Sequence, residues 1–215
     1  MKRKQETVIV CSAHSDDFVL GAGGTIANYT AEGKKVIAIV FSYGEKSHPW
    51  LKESVIQKMR SKEALEASKI LNCQTYVYDL KELKFLDEYK EKKIDTILLD
   101  LIKKEKPVKI FTHSSEDPHP DHRAVHKITL EVYGRSKLKP ELYTYSIWNP
   151  VSFKTAYPSL YVNITPTFKT KLAALRTFRS QTIHVAYPFF LLLYRAIRHG
   201  FKLRTWFGEQ FFRIR

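Results

Sequence analysis

Short apolar runs alternate along the chain with longer segments in which apolar residues recur every three or four positions. The runs are rich in Val, Ile and aromatic side chains and predict six strands, at residues 8–13, 36–41, 75–78, 109–112, 142–147 and 161–164. The helical spacing predicts six helices, over residues 19–31, 53–71, 89–105, 121–133, 168–178 and 188–199. Gly33 and Asn72 stand where the first two of these helices should stop.

This alternation of strands and helices predicts an α/β fold. We expect a Rossmann-like three-layer sandwich, with a mostly parallel sheet and helices on both faces. No Pro-, Gly- or Ser-rich linker and no repeat divides the chain, so we expect residues 1–215 to form a single domain. In such sheets, ligands bind at the carboxyl ends of the strands.

The formal net charge is +14, from 36 Lys and Arg against 22 Asp and Glu. Most of the excess lies in residues 166–215, where ten basic residues and eleven aromatic residues accompany Glu209 as the one acid. The basic, aromatic-rich segment 188–215 therefore suits an anionic partner, such as nucleic acid, a phosphate-bearing substrate or an anionic membrane.

The cysteine content points to a reducing compartment. Cys11 lies in an apolar run and Cys73 follows a helical segment, and we expect both to be inert thiols in a cytoplasmic protein. The basic start of the chain resembles a signal peptide, but Glu6 follows it and the apolar run at residues 8–13 is too short for one. We therefore expect the mature chain to begin at or near Met1.

Two short clusters of acids and histidines each follow closely on a predicted strand, at His14-Ser15-Asp16-Asp17 and His119-Pro120-Asp121-His122. A hydrolytic metal site needs about three imidazole or carboxylate ligands and an open position for water, and two His with one Asp supply that set. The acid and the histidine that are left over can move protons. The sequence therefore predicts one metal centre built from both clusters.

The glycines after the first cluster allow a competing interpretation, a dinucleotide-binding loop. Gly21, Gly23 and Gly24 lack the last glycine of that motif, which would fall at Ile26, and two carboxylates beside the turn would repel a pyrophosphate. We expect these glycines to let the first helix pack closely on the sheet. Taken alone, the first cluster also fits a loop histidine followed by a helix-capping acid.

The second cluster leaves the choice of ligand open. His119 and His122 stand three apart at a helix start, and His122 and His126 share a helix face. Spacing alone does not choose between His122 and His126. In the simpler interpretation, His126 lies on the outer face of the helix and His113 caps the preceding strand.

A resemblance to a known family selects between His122 and His126. The segments Ala13-His14-Ser15-Asp16-Asp17 and His119-Pro120-Asp121-His122-Arg123-Ala124 resemble the two signature motifs of the PIG-L/LmbE-like family, the zinc-dependent N-acetylglucosaminyl deacetylases. Weaker similarities follow in order at Thr25-Ile26-Ala27, Gly44-Glu45, Arg60 with Glu63, Ala174, Arg179-Ser180-Gln181 and Phe207-Gly208-Glu209-Gln210-Phe211. The resemblance covers nearly the whole chain and implies an LmbE-like fold.

The resemblance also implies roles for five residues of the two clusters. His14, Asp17 and His122 bind Zn²⁺, Asp16 is the general base, and His119 is the acid or the oxyanion stabiliser. Two residues depart from the family pattern, since Ser15 replaces the usual proline and Phe18 the usual glutamate. Neither position has an implied role in metal binding or proton transfer, so we expect the reaction type to be unchanged. The sugar pocket, or the hydrogen bonds around it, should differ from the family pattern.

For three further residues the resemblance implies a functional role, and the sequence alone allows a simpler structural one. Arg60 and Glu63 would grip sugar hydroxyls, although their spacing alone favours a surface ion pair. Asp121 is a candidate to orient His119, while an acid at a helix N-terminus is the simpler interpretation.

We therefore expect a zinc-dependent hydrolase that removes the N-acetyl group from an N-acetylglucosamine-containing conjugate, either lipid-linked or small. The alternative is a basic module that binds nucleic acid or a membrane surface and keeps the fold without catalysis. Of these partners, nucleic acid is the less favoured hypothesis, because the chain contains no recognised nucleic-acid-binding motif.

The segment 188–215 also predicts peripheral binding to an anionic membrane. Its apolar part is far shorter than the ~20 residues that a membrane span needs. Arg195, Arg198 and Lys202 fall in one helical stripe, and basic and aromatic residues including Phe211 and Phe212 continue the mixture that interfacial segments favour. The plain alternative is a terminal core helix with a solvated basic face.

Overall fold

The computed structural model describes residues 5–44, 52–149, 152 and 156–215, with residues 182–187 described by their backbone alone. Within these ranges one sheet contains seven strands: β1 (Thr7–Ser12), β2 (Lys35–Val40), β3 (Gln74–Val77), β4 (Lys109–His113), β5 (Glu141–Tyr145), β6 (Ser159–Asn163) and β7 (Gly208–Arg213). The α-helices of the same ranges are α1 (Asp17–Ala31), α2 (Glu53–Ile70), α3 (Phe85–Glu91), α4 (Ile94–Glu105), α5 (Pro120–Arg135), α6 (Phe168–Leu175) and α7 (Thr182–Lys202). A short 3-10 helix, Arg179–Gln181, precedes α7.

The strand order across the sheet is β3-β2-β1-β4-β5-β7-β6. The five strands from β3 to β5 pair in parallel, whereas β7 pairs antiparallel with both β5 and β6. The order reverses between β1 and β4, which are adjacent although two strands separate them in the chain. The predicted α/β fold with a mostly parallel sheet is confirmed.

Alternate residues of the central strands are buried on opposite faces of the sheet. Val8 and Val10 of β1 join the core beneath α1, α2, α6 and α7, whereas Ile9 and Cys11 join the core beneath α3, α4 and α5. Because both faces are covered, these strands are continuously apolar in the sequence.

Left-handed backbone conformations follow several of the helices. Gly33 (φ 79°) and Asn72 (φ 53°) follow α1 and α2, as predicted. The predicted helix over residues 89–105 is wrong, because the segment holds two helices, α3 and α4. Lys93 lies between them at φ 54°, a conformation that nothing in a lysine side chain signals.

The glycines of α1 let this helix lie close against its neighbours, as predicted. A Cβ atom on Gly21 would come within 2.2 Å of the Tyr145 ring, and one on Gly24 within 2.7 Å of Ile164. The start of α1, which carries the first cluster, is thereby held over the carboxyl end of the sheet.

The end of the chain differs from the interfacial segment that the sequence predicts. Residues 208–213 form strand β7, which lies inside the sheet, and Phe211 is fully buried with its ring centroid 4.7 Å from that of Phe111. Glu209 is also buried and accepts hydrogen bonds from the main chain of Gly24 and from Lys171 Nζ at 2.6 Å. The local sequence pattern does not reveal this strand, because Glu209 is buried only through contacts with Gly24 and Lys171, which are distant in the chain.

Arg195 also departs from the predicted basic stripe. Its guanidinium points inward and donates hydrogen bonds to the carbonyl oxygens of Ser146, Ile147 and Asn149. Arg198 is exposed, as predicted. Arg195 therefore ties α7 to the segment that follows β5.

Candidate active site

The two predicted clusters meet at the carboxyl edge of the sheet. One cluster connects β1 to α1 and the other connects β4 to α5. Because β1 and β4 are adjacent and the two helices cover opposite faces, a crevice opens between the two connections. A cavity of about 130 Å³ lies there, lined by His14, Asp16, Asp17, Leu20, Arg60, Glu82, His119, His122, Ile147, Trp148, Gln181 and Pro188.

The carboxylate of Asp17 stands between two histidines. Its Oδ2 lies 3.4 Å from His122 Nε2 and 3.6 Å from His14 Nδ1, and it accepts the main-chain N–H of His14 at 2.8 Å. The three side chains offer ligand atoms that all lie within 4.8 Å of one another. They can hold one metal ion with a side open towards the cavity.

The ring of His122 is oriented by Asp117, a residue to which the sequence analysis gave no role. Nδ1 of His122 lies 3.0 Å from Asp117 Oδ1 and Nε2 lies 3.4 Å from Asp17 Oδ2, but both nitrogens are buried and neither makes a hydrogen bond of good geometry with the described residues. A buried nitrogen of this kind is costly, and a bound metal ion would satisfy it. Asp117 also accepts main-chain N–H bonds at 3.0–3.1 Å from His119, Ile147 and Trp148.

Carboxylates flank both nitrogens of the His14 ring. Nδ1 faces Asp17, and Nε2 lies 3.3 Å from Asp121 Oδ2 and 3.5 Å from Glu82 Oε1. The other oxygen of Asp121 accepts the Leu83 N–H at 2.8 Å. The carboxylate of Asp121 therefore supports His14, where the sequence suggested that it would orient His119.

The ring of His119 caps helix α5. Its Nδ1 accepts the main-chain N–H of Asp121 at 3.2 Å, so its proton resides on Nε2. Burial and the neighbouring His14 and His122 lower the pKa of His119 to about 4. A neutral ring with a proton on Nε2 can donate a hydrogen bond to an oxyanion.

Asp16 is the other acid of the first cluster on the cavity wall. Its main-chain oxygen accepts the first hydrogen bonds of α1, but its side chain makes no capping bond. Burial and the charge of Asp17 raise the pKa of Asp16 to about 6, against the opposing effect of Arg60 and His14. A carboxyl group with this pKa is suited to accept and release a proton near neutral pH.

The charges of the site fit a cation. Burial opposes the charged forms of His14 and His122, yet the carboxylates of Asp17, Asp117 and Asp121 outweigh it and raise the two pKa values to about 10 and about 9. The carboxylates thus favour positive charge at these rings. A divalent metal ion in place of the protons would provide it.

Two other groups among the described residues have metal-ligand spacing, namely His113-Asp117-His122 and His14-His119-Asp121. A catalytic metal needs a position open to substrate. Each of these groups includes at least one residue that does not line the cavity, whereas His14, Asp17 and His122 all line it. The last group is therefore the best placed for catalysis.

His113 and His126 are both buried, which corrects the expectation that His126 lies on the outer face of its helix. Nδ1 of His126 donates to the carbonyl oxygen of His113 at 2.8 Å. His113 Nε2 accepts the Ala13 N–H at 3.0 Å, and its ring stacks on that of His122 with centroids 3.9 Å apart. The two residues pack beneath the cavity and do not line it.

Arg60 lines the cavity and Glu63 does not. Arg60 is buried and donates to the carbonyl oxygen of Tyr43 at 3.0 Å; with the Gln181 amide oriented to face it, it also donates to that oxygen at 3.0 and 3.2 Å. Both carboxylate oxygens of Glu63 are occupied by Ser180, whose N–H and hydroxyl donate at 2.8 and 2.6 Å. The structure therefore places Glu63 behind the cavity, where it fixes the turn that carries Gln181.

The two residues that depart from the family motif, Ser15 and Phe18, have different surroundings. Ser15 Oγ is 3.4 Å from the side-chain amide of Gln181, so it supports a cavity residue. Phe18 is fully buried in the hydrophobic core. Glu45, which belongs to one of the weaker sequence similarities, lies outside the described residues.

Comparisons with known proteins agree with these motifs. The profile of the PIG-L family, described as GlcNAc-PI de-N-acetylase, matches residues 9–133, which include both clusters. A Bacillus cereus protein named probable N-acetyl-alpha-D-glucosaminyl L-malate deacetylase 2 is 29% identical over 187 residues, which are 81% of this chain and 83% of that protein. The 4-oxalmesaconate hydratase of Pseudomonas putida is 27% identical over 202 residues, 84% of this chain and 76% of that protein. The structure of N,N'-diacetylchitobiose deacetylase from Pyrococcus horikoshii has the same fold, with a TM-score of 0.79 and 24% identity over 97% of this chain and 84% of that one.

Proposed function

The chain belongs to the PIG-L family of de-N-acetylases, and we propose that it removes the N-acetyl group from an N-acetylglucosamine-containing conjugate, lipid-linked or small. The products are acetate and a free amine. The observation that carries the proposal is one cavity wall on which His14, Asp17 and His122 stand beside Asp16 and His119. We propose residues 1–215 as one catalytic domain.

We propose Zn²⁺ as the metal, with His14, Asp17 and His122 as its ligands. Two imidazoles and one carboxylate are a ligand set that suits zinc, and His122 Nε2 lacks another partner among the described residues. Bound there, the ion supplies Lewis acidity that polarises the acetamide carbonyl and lowers the pKa of water.

The side chains around this position supply the proton transfers. Asp16, with its pKa near 6, is ionised at neutral pH and accepts a proton from the attacking water. His119 donates a hydrogen bond from Nε2 to the carbonyl oxygen as negative charge develops on it. The proton held by Asp16 then passes to the departing nitrogen, because an amide anion is too basic to leave unaided.

The charge of the cavity supports a neutral acetamido sugar as the substrate. The similarity to the Pseudomonas putida protein raises a second candidate function, the hydration of an unsaturated polycarboxylate. Among the described residues of the wall, Arg60 faces the three carboxylates of Asp16, Asp17 and Glu82. Arg60 and the proposed Zn²⁺ balance the three carboxylates, so the wall holds no excess positive charge that would bind a substrate with several carboxylates, whereas Arg60 can donate hydrogen bonds to sugar hydroxyls.

We propose a reducing, cytoplasmic compartment as the place of action. Cys11 is buried without a disulfide, and Cys73 is likewise a free thiol. Free cysteines of this kind persist where disulfides are kept reduced.

Acetate release from N-acetylglucosamine conjugates, measured together with metal content, tests the proposal. We expect about one zinc per chain in the parent protein and the loss of both zinc and acetate release in His122→Ala. His126→Ala is the matched control, a neighbouring buried histidine that does not line the cavity, and it should keep its zinc. Full activity of the metal-free parent, or hydration of an unsaturated acid without any acetate release, would overturn the proposal.

A further inference from the structure

One face of α7 carries a row of exposed apolar side chains. Phe190, Tyr194, Ile197 and Phe201 are spaced four, three and four residues apart, which places them in one stripe about 17 Å long. Their exposed fractions are 70%, 56%, 55% and 85%, and Trp206, just beyond the helix, is 78% exposed. These five residues are termed the apolar ridge.

The ridge is large for a surface that only water contacts. Single exposed apolar residues are normal, but a contiguous row of aromatic and aliphatic side chains marks an interaction site. At its far end Phe201 and Trp206 flank a shallow groove, together with Arg204 and Pro166. A partner surface of low curvature could cover the ridge and the groove at once.

The charges around the ridge are positive. The segment that contains the ridge, residues 156–215, holds ten Lys and Arg, of which Lys171 and Arg195 are turned inward, and a single acid, Glu209. Glu209 is buried and paired with Lys171, so it contributes no negative charge to the surface. Arg198 and Arg204, which flank the ridge, are both exposed.

We propose that the apolar ridge docks on the surface of an anionic lipid bilayer. Interfacial helices bind in this way, with aromatic and aliphatic side chains among the headgroups and basic side chains against anionic lipids. No helix in the described part of the chain is long and apolar enough to cross a bilayer. A second copy of this chain is a poorer occupant, because the arginines of two ridges would face each other.

The ridge begins near a residue that lines the catalytic cavity. Pro188 lines the cavity, and Phe190 follows about 3 Å further along the axis of α7, on the exposed face. Residues two apart in a helix differ by about 200° around its axis, so the ridge, and a bilayer held by it, lie on the face of α7 opposite the cavity. The docking does not rest on the proposed function.

Sedimentation of the zinc-loaded protein with vesicles tests the docking. We expect binding to phosphatidylcholine vesicles that contain about a third phosphatidylglycerol, weaker binding as salt rises, and none to pure phosphatidylcholine. Phe201→Ser with Trp206→Ser should reduce the partition coefficient at least about tenfold. Arg198→Glu with Arg204→Glu should do the same, since each basic residue near an anionic surface contributes about fivefold.

A control pair of charge reversals distinguishes binding through the charges beside the ridge from binding through the net charge of the whole protein. Lys62→Glu with Lys103→Glu changes the net charge equally at two exposed lysines on α2 and α4, and should leave vesicle binding within about twofold of the parent. Because all the replaced side chains are exposed, circular dichroism should show every variant folded.

Three outcomes would overturn the docking: no binding at low salt, equal loss in the lysine control, or a dimer that Phe201→Ser with Trp206→Ser dissociates. The last would assign the ridge to a second copy of the chain. None of these measurements uses substrate, so failure of the docking leaves the deacetylase assay unaffected.

Discussion

Replacing Asp117 by Asn should weaken metal binding without touching a proposed ligand. Oδ1 of Asp117 faces the His119 N–H and His122 Nδ1, and Oδ2 faces the N–H groups of Ile147 and Trp148. Asparagine has one acceptor oxygen, so its NH₂ group must face one of these two pairs.

The two orientations differ in cost. Facing Ile147 and Trp148, the NH₂ group leaves two buried N–H donors without an acceptor, at about 2–6 kcal/mol of folding free energy. Facing the histidines, it leaves only the His119 N–H unpaired, at about 1–3 kcal/mol, provided that Nδ1 of His122 is deprotonated and the ring keeps its proton on Nε2. The second orientation is preferred, and it protonates the nitrogen that we propose binds the metal.

We therefore expect Asp117→Asn to bind zinc about 10–100-fold more weakly than the parent, because losing the carboxylate partner of a metal-binding histidine has this effect. Competition with a chromophoric chelator measures the affinity, and urea unfolding of the metal-free protein measures the stability, expected to fall by about 1–3 kcal/mol. Asp100→Asn, at an exposed carboxylate on α4, is the control and should change neither. Parental zinc affinity in Asp117→Asn would refute the inference that Asp117 sets the proton position of His122.

Three further predictions concern the chemistry, the packing and the thiols. Asp16→Asn should keep its zinc but lose about 10²–10⁴-fold in kcat, and an unchanged rate across the pH range would remove Asp16 from the mechanism. Gly21→Ala should lower the free energy of unfolding by about 1–3 kcal/mol because its Cβ meets the Tyr145 ring. Gly134→Ala, in open space on α5, should instead stabilise the protein by about 0.5–1 kcal/mol in the same urea titration. Both cysteines should resist alkylation at neutral pH until the protein unfolds, since burial raises their pKa values to about 12 and about 11; rapid labelling of the native protein would contradict this.

The centre of the sheet could be predicted because its strands are buried on both faces. β1 and β2 consist mostly of apolar residues, β4 has Ile110 and Phe111 at its centre, and the helices between them show regular apolar spacing. β7 could not be predicted in the same way. Its Glu209 is neutralised by Lys171, a contact between distant parts of the chain that no local pattern displays.

In the site, too, residues within short sequence motifs could be predicted, whereas residues positioned by contacts distant in the chain could not. The sequence motifs named His14, Asp16, Asp17, His119 and His122, and all five line the cavity. Glu82 was not singled out, because it reaches the cavity through a loop that takes a left-handed turn at Leu83 (φ 67°) and is held by Asp121. Glu63 shares the helix of Arg60, but its orientation is set by Ser180, over a hundred residues away.

The adjacency of β1 and β4 has a consequence for the lifetime of the protein. Asp17 and His122 are 105 residues apart in the chain and meet only when the two strands have paired. A metal ion bound to both therefore acts as a reversible cross-link that the unfolded chain cannot form. At a free metal concentration a hundred times the dissociation constant, such a ligand adds about 2.7 kcal/mol to the free energy of unfolding. A cell that runs short of the metal would lose enzyme molecules to proteolysis as well as losing their activity.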